Sequence, residues 1–143
     1  MTMADFERML AALAAADEKA RANAAIELAE FGAYDEPMTP AMTLQAVAAL
    51  IPALADPARE VRWAAAYALG ALQDPGGVAP LAAALEEAAS SGDGGLQLVI
   101  VKALGKIGNP AGIPALRRML DHEPTACIRA AADRALTRIA AAG

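Results

Sequence analysis

A twelve-residue phrase recurs along the chain, and this repetition restricts the possible folds more than any other feature. The segment VRWAAAYALGAL at 61–72 aligns without gaps with segments that begin at Ala20, Leu96 and Ile128. In the four copies the first, fifth, eighth, ninth and twelfth positions are apolar, with Glu27 as the exception. This spacing places them on one side of an α-helix, so each copy predicts an amphipathic helix with one buried face.

A second amphipathic segment precedes each copy. Its apolar positions are Phe6, Met9 and Leu13, then Val47, Leu50 and Leu54, then Val78, Leu81 and Leu85, then Ile113, Leu116 and Leu120. Each repeat is therefore predicted to be a pair of helices. We expect one domain over 1–143, with repeats at about 3–33, 39–73, 74–108 and 109–141. Because 57% of residues are hydrophobic but only 3% aromatic, alanine supplies much of the apolar mass, which favours close packing of helices.

Proline and glycine predict the boundaries. Four helices are expected to start with a side-chain cap followed by proline, at Thr39-Pro40, Asp56-Pro57, Asp74-Pro75 and Asn109-Pro110. Pro52 should kink or shorten a helical run over 40–55. The segment SSGDGG at 90–95 predicts a mobile loop that makes 86–95 bulge within the third pair, and 33–39 is expected to form an extended link.

The segment VRWAAAYALGALQDPGGVAPLAAAL resembles the short HEAT-like repeats of the phycobilisome lyase type. This resemblance implies an all-α fold, a right-handed α-α superhelical solenoid of four HEAT-like helix pairs, and it says little about function. One column of the second helices reads Ala29, Gly70, Gly105, Thr137. Its small residues predict that neighbouring backbones approach closely there.

The two flanks of the repeated helix predict how the stack ends. One flank reads Ala25, Ala66, Val101, Asp133, and the opposite flank reads Asn23, Ala64, Val99, Ala131. Only the last copy of the first set and the first copy of the second set are polar. We therefore expect both ends to be capped, in a finished protein of four repeats that is a monomer or a weak dimer.

The outward positions of the second helices supply the candidate binding site. In HEAT-like solenoids these helices line the concave wall, so the resemblance places Trp63, Tyr67 and Leu98 there as an apolar patch. The basic residues beside this patch are Lys102, Lys106, Arg134 and Arg138. The alternative is that Trp63 and Tyr67 only cover packing between adjacent repeats.

Charge is unevenly distributed along the chain. Residues 1–95 carry five Lys/Arg and fourteen Asp/Glu, a net charge of −9, whereas residues 96–143 carry seven and three, a net charge of +4. This asymmetry can steer an acidic partner toward the C-terminal third, or it can reflect solvated faces alone. A column of arginines, Arg21, Arg62 and Arg129, lies near the turn residues Asp17, Asp56 and Asp121 and predicts a ladder of structural ion pairs.

Few residues suit catalysis or metal binding. The pair His122-Glu123 resembles those with which deoxyhypusine hydroxylase, a HEAT-like iron enzyme, binds metal, but that family uses several such pairs and this chain has one histidine. The glycine-rich segments lack the lysine and the strand of a phosphate-binding loop. The single cysteine, Cys127, allows no internal disulfide and is expected to be inert. We expect no catalytic residue, no metal and no cofactor.

Three functions follow as hypotheses. The favoured one is a non-enzymatic module that binds a protein or peptide on its concave face, with acidic character where the partner meets the C-terminal third. The second, implied by the resemblance, is a chromophore lyase or cofactor-maturation chaperone of the bilin lyase type. The third is nucleic-acid binding by the basic C-terminal helices, which the net charge of −5 disfavours. No membrane segment or secretory signal is predicted, and a cytoplasmic location is expected.

Overall fold

A computed structural model describes residues 2–31, 38–122 and 125–142 of the chain. This part contains eight α-helices, two short 3-10 turns and no β-strand. The helices are α1 Met3–Ala12, α2 Glu18–Phe31, α3 Pro40–Ala53, α4 Arg59–Leu72, α5 Val78–Ser91, α6 Gly94–Ile107, α7 Ile113–His122 and α8 Ala126–Ala142. The 3-10 turns, Pro75–Gly77 and Pro110–Gly112, lead directly into α5 and α7. None of the described helices combines the length and the apolar character needed to cross a bilayer.

The helices pack as four pairs, each made of an odd-numbered helix and the helix that follows it. Neighbouring pairs stack through α2, α4, α6 and α8, which form one continuous layer. The predicted stripe lies in the core: Ala24, Ala65, Ile100 and Ala132, one from each copy, are all buried. Glu27, the polar exception in the stripe, is exposed. The predicted all-α solenoid is therefore confirmed.

The layer of even-numbered helices is the tighter of the two layers. A Cβ atom added to Gly70 of α4 would lie 2.7 Å from both Cα and Cβ of Ala103 in α6, and one added to Gly105 of α6 would lie 3.0 Å from Cβ of Ala135 in α8. Odd-numbered helices of neighbouring pairs touch much less. We call the layer of even-numbered helices the inner layer, because the resemblance to HEAT-like solenoids predicts that its exposed surface on α4, α6 and α8 lines the concave wall.

Of the four predicted helix starts, one needs correction, one is confirmed, and two are confirmed in a modified form. Asp56 does not cap α4: the helix begins two residues after Pro57, at Arg59, and the carboxylate of Asp56 accepts the N–H of Ala58 instead. Thr39 caps α3 as expected, by accepting the N–H of Met42. Asp74 and Asn109 do cap the segments that follow them, but these segments are the two 3-10 turns.

The predicted bulge over 86–95 is wrong. Helix α5 continues through this segment to Ser91, and the connection to α6 consists of two residues only. Gly92 adopts a left-handed backbone with φ of 74°, which ends α5, and Asp93 caps α6 by accepting the N–H of Leu96. The extra residues of this repeat therefore lengthen a helix, because alanines before the serines sustain it and one glycine suffices for the turn.

Of the remaining boundary predictions, the one for Pro52 is confirmed and the one for 33–39 lies mostly outside the described residues. Helix α3 contains Pro52 and ends one residue later, at Ala53, so the run over 40–55 is shortened as expected. The predicted link over 33–39 lies outside the described residues except at 38–39, which are not helical. On the flanks of the even-numbered helices, Asn23 and Asp133 are exposed, whereas the residues aligned with them are buried.

The side chains of the arginine column stabilise the turns mainly by hydrogen bonds to backbone carbonyl oxygens, and not through the predicted ladder of Arg–Asp ion pairs. Arg21 donates from Nη1 to the carbonyl oxygens of Ala15 and Ala16, at 2.9 Å each. Arg62 donates in the same way to the carbonyl oxygens of Asp56 and Pro57, at 2.8 and 3.1 Å. Arg129 donates to the carbonyl oxygen of Leu120. At these three turns, carbonyl oxygens that have no partner within a helix thus accept hydrogen bonds from a charged side chain.

An ion pair formed by Arg21 of this column joins two repeats. Arg21 binds the carboxylate of Asp56 through Nε and Nη2, at 2.8 and 3.0 Å, and so reaches the turn of the following pair and not Asp17 of its own. The two side chains are 17% and 12% exposed. The hydrogen bond from Arg21, with help from the N–H of Ala58, lowers the pKa of Asp56 against the opposing effect of burial.

We predict that Gly70→Ala destabilises the protein by about 1–3 kcal/mol, because α4 and α6 must separate to admit the methyl group. Gly94→Ala is the control for the added methyl group: Gly94 is also helical, and its Cβ would meet only Cδ1 of Ile128, at 3.7 Å, so the same substitution carries no clash. Urea denaturation of both variants makes the comparison. Equal stability of the Gly70 and Gly94 variants would contradict close packing of the inner layer.

Asp56→Asn is expected to lower the melting temperature near neutral pH and to reduce the loss of stability on acidification. Because the folded-state pKa of Asp56 is lowered, its carboxylate contributes stability above about pH 4, and this contribution disappears as the pH falls through the folded-state pKa. Thermal melts at about pH 6 and about pH 3 measure the difference. Asp133→Asn removes the same charge at an exposed position and should retain the acid sensitivity of the unaltered chain.

Candidate functional site

The seven candidate residues lie on three consecutive helices of the inner layer. Helix α4 carries Trp63 and Tyr67, α6 carries Leu98, Lys102 and Lys106, and α8 carries Arg134 and Arg138. Within each helix these residues are four positions apart, which places them one turn above another on the same face. We refer to the seven together as the inner-face patch.

Trp63 and Tyr67 form a stacked pair on α4, at one edge of the patch. Their ring centroids are 5.5 Å apart and the planes differ by 6°. Trp63 is 42% exposed, so it is not buried between repeats, whereas Tyr67 is half-buried. Nζ of Lys106 lies 5.3 Å from the centroid of the Tyr67 ring, a cation–π contact that joins α6 to α4. This contact and the stacking hold the two rings side by side.

The aromatic pair forms one wall of a cleft between α4 and α6. The cleft has a volume of about 290 Å³ and is lined by Trp63, Tyr67, Gly95, Leu98, Val99, Lys102, Ala103 and Lys106. Its walls are apolar near Leu98 and Val99 and basic at the two lysines. We call it the aromatic cleft.

A second depression lies between α6 and α8. It has a volume of about 220 Å³ and is lined by Lys102, Gly105, Lys106, Ala131, Arg134, Ala135 and Arg138. Four cationic side chains surround a floor of glycine and alanine. We call it the basic pocket. Lys102 and Lys106 line both depressions, so the exposed edge of α6 forms the ridge that separates them.

The four cations of the patch are not neutralised by the rest of the described chain. The ion pairs found in this part are Arg8–Asp5, Arg21–Asp56, Arg59–Asp93 and Arg118–Glu86, and none involves the patch. Lys102, Lys106, Arg134 and Arg138 are all exposed. Their like charges therefore face solvent across a small area, which favours an anionic ligand.

The patch consists of aromatic, aliphatic and cationic side chains. The described residues contain no cluster of three or more His, Cys, Asp or Glu side chains that could hold a metal ion. His122 is the last residue of α7, and Glu123 lies outside the described residues. Cys127 is exposed in the first turn of α8.

Sequence reasoning missed a larger depression, which lies on the opposite, outer side. A groove of about 990 Å³ separates the C-terminal half of α5 from α3 and the turn that follows α3, and one of about 420 Å³ separates α5 from α7. Both are lined by Glu86 and Ser90. The groove depends on the final turn of α5, which the sequence analysis assigned to a loop. The sequence feature that indicates this longer helix is the group of helix-forming alanines before the two serines.

The profile of the HEAT repeat family matches residues 6–93 and 81–137, which together cover most of the chain. The protein therefore belongs to the HEAT repeat family. The stacked helix pairs described above are the architecture that this family predicts. No curated protein is significantly similar in sequence.

Solved structures share the fold over almost the whole chain. Human deoxyhypusine hydroxylase in complex with glycerol is 28% identical, with a TM-score of 0.73 over 96% of this chain and 44% of that one. Two engineered proteins are 21% and 24% identical, with TM-scores of 0.72 and 0.67, and the similarity covers 98% of this chain in each case. It covers 64% and 38% of those proteins, so this chain spans less than two thirds of each of the three.

Proposed function

We propose that this HEAT repeat protein is a non-enzymatic interaction module that binds a protein or peptide on its concave face through the inner-face patch. The observation that carries the proposal is the exposed Trp63–Tyr67 stack, which opens onto an apolar cleft beside four cations without ion-pair partners in the described chain. Trp, Tyr and Arg side chains are enriched at the centres of protein interfaces.

The energetics of the stack support this use. Trp and Tyr bury a large area with few rotatable bonds, so ordering them on binding costs little conformational entropy. Here the stacking on Tyr67 and the Lys106 contact already restrict both rings in the free protein. A partner therefore meets a preorganised apolar surface, which reduces the cost of association.

The size of the cleft favours a protein partner over a free small molecule. Its volume of about 290 Å³ is at the lower limit of the roughly 300–1,000 Å³ that enclose drug-sized ligands. One or two side chains of a partner fit such a space. A bilin lyase function, suggested by the finer resemblance to phycobilisome lyases, requires contact with a bilin or its carrier protein, and binding assays with these ligands distinguish it.

Nucleic-acid binding would draw on the same basic residues. The four cations are confined to α6 and α8, and the complete chain has a net charge of −5. A nucleic-acid ligand would show affinity that falls steeply with salt, because its phosphate contacts release counterions. Since bases can also stack on an exposed indole, titration with an oligonucleotide over a salt series, and not the loss of the indole, separates the two functions.

Trp63→Ala is expected to weaken partner binding by at least about 2 kcal/mol while the fold remains intact, because the indole points away from the core. A partner can be obtained by affinity capture with the unaltered chain, followed by mass spectrometry, and its affinity measured by titration calorimetry. Leu44→Ala is the matched control: Leu44 is 62% exposed on α3, outside the inner layer, and its loss should not affect binding.

A circular-dichroism melt of the same two variants completes this experiment. A sharp fall in the melting temperature of the Trp63 variant would assign the residue to the core and contradict the proposal. Unchanged partner affinity with an unchanged melt would also contradict it, since the indole would then contribute to neither.

Neutralising Lys102 and Arg134 with glutamine should act mainly on the association rate. Exposed cations at the edge of an interface accelerate encounter with an acidic partner, and this acceleration is screened by salt. We therefore expect slower association with a flatter salt dependence, and a smaller change in dissociation, in surface plasmon resonance over a salt series. Arg117→Gln, an exposed charge on α7, is the control. An effect confined to dissociation would show that the cations make buried contacts instead.

A further inference from the structure

The two depressions of the inner face lie side by side with the ridge of α6 between them. We infer that together they bind one extended acidic peptide that crosses α6, with an apolar side chain in the aromatic cleft and a carboxylate in the basic pocket about three residues away. The inference rests on the proposed function and adds to it the chemistry, the direction and the spacing of the ligand.

The spacing follows from the packing of the helices. The aromatic cleft lies between α4 and α6 and the basic pocket between α6 and α8, so their centres are separated by about one helix-to-helix distance. Packed helices are roughly 8–10 Å apart. An extended chain advances about 3.3 Å per residue, and about three residues therefore lead from one depression to the other.

The basic pocket selects the charge of the ligand. Its floor consists of Gly105, Ala131 and Ala135, which offer no side-chain acceptor or donor. Specificity therefore depends on the surrounding ammonium and guanidinium groups. Arg134 and Arg138 can each bind a carboxylate with two parallel hydrogen bonds, and the lysines on the ridge can contact acidic residues or carbonyl groups of the crossing segment.

Helix α2 lies on the far side of α4 from the basic pocket, and its residues explain why the acidic end of the peptide should lie toward α8. On α2 the residues aligned with Trp63, Tyr67 and Lys106 are Ala22, Ile26 and Glu30. Ala22 and Ile26 are half-buried and Glu30 is exposed. The inner face thus changes from acidic at α2, through aromatic at α4, to basic at α6 and α8. A peptide with an acidic group on the α2 side of its anchor would meet a like charge.

The sole tryptophan of the chain makes the test direct, because Trp63 fluorescence reports on the cleft alone. The probes are capped peptides on a Gly-Ser scaffold, each with one Leu and one Glu-Glu pair. The separation between them varies from about one to about six residues, in both orders along the chain. Titrations at about 20 mM salt keep screening low. We expect the tightest binding at a separation of about three residues in one of the two orders, by about 5-fold over the shortest and longest separations.

Protein variants locate the acidic contact. Arg134→Gln should remove most of the preference for that separation and leave unchanged the weak response to a peptide that has Leu but no glutamate. Arg117→Gln removes one exposed charge from α7, outside the inner layer, and should retain the preference. Retention of the preference in the Arg134 variant would overturn the assignment of the carboxylate to the basic pocket.

Failure of the inference is distinguishable from failure of the proposed function. Binding that is independent of the separation, but is lost for dye-labelled peptides with Trp63→Ala, would overturn the two-point geometry and leave the inner-face patch as a binding surface. Fluorescence that responds to no peptide would overturn the inference as well. In that case, loss of the captured partner on Trp63→Ala would still support the proposed function.

Discussion

Close contact between the even-numbered helices is the constraint on which the rest of the structure depends. Gly70 faces Ala103 and Gly105 faces Ala135 at distances that leave no room for another methyl group. Dispersion forces gain most where backbones approach closely, and a layer of small residues obtains this gain without large side chains. The tight spacing brings the exposed positions of α4, α6 and α8 close together on one face of the stack, which is the face that we propose as the binding surface.

The same constraint separates the requirements of the fold from those of the binding surface. On α4, α6 and α8 the buried stripe and the inner-face patch occupy different sides, and the small residues between the helices form the floor of the basic pocket. Trp63 and Lys102 can therefore differ from their counterparts in the other repeats, Ala22 and Arg134 among them, without disturbing the core. A HEAT repeat array can carry such a gradient of charge because each repeat contacts only its neighbours.

Features that are set within one helix, or by the alignment of the repeats, could be predicted from the sequence, whereas features that depend on how the repeats stack could not. Periodicity predicted the buried stripe of every repeat, and the outward column predicted which residues lie beside Trp63, because both patterns are set within one helix or by the alignment of repeats. The partner of Arg21 was not predictable in this way: Asp17 is near in sequence, but Asp56 is brought close by stacking. The same holds for the outer groove, which depends on how far α5 extends beyond α3. The prediction for the segment SSGDGG was wrong because glycines and serines are typical of a loop. In the structure the left-handed backbone of Gly92 ends α5, and the connection needs only two residues.

Lys106 shows how the fold can hold a charge near the ligand without neutralising it. The residue lies in the last turn of α6, where the partial negative charge of the helix terminus favours a cation. The face of the Tyr67 ring attracts the same ammonium group, and Gln73 donates to the carbonyl oxygen of Lys106 from the end of α4. The helix terminus and the ring thus attract the cation through dipoles and a quadrupole instead of through a carboxylate, whereas the bond from Gln73 fixes the backbone of Lys106. A neighbouring aspartate would fix the side chain equally well, but it would cancel the field that an acidic ligand experiences. The geometry around Tyr67 therefore orders the lysine and leaves its full charge directed at the surface between the two depressions.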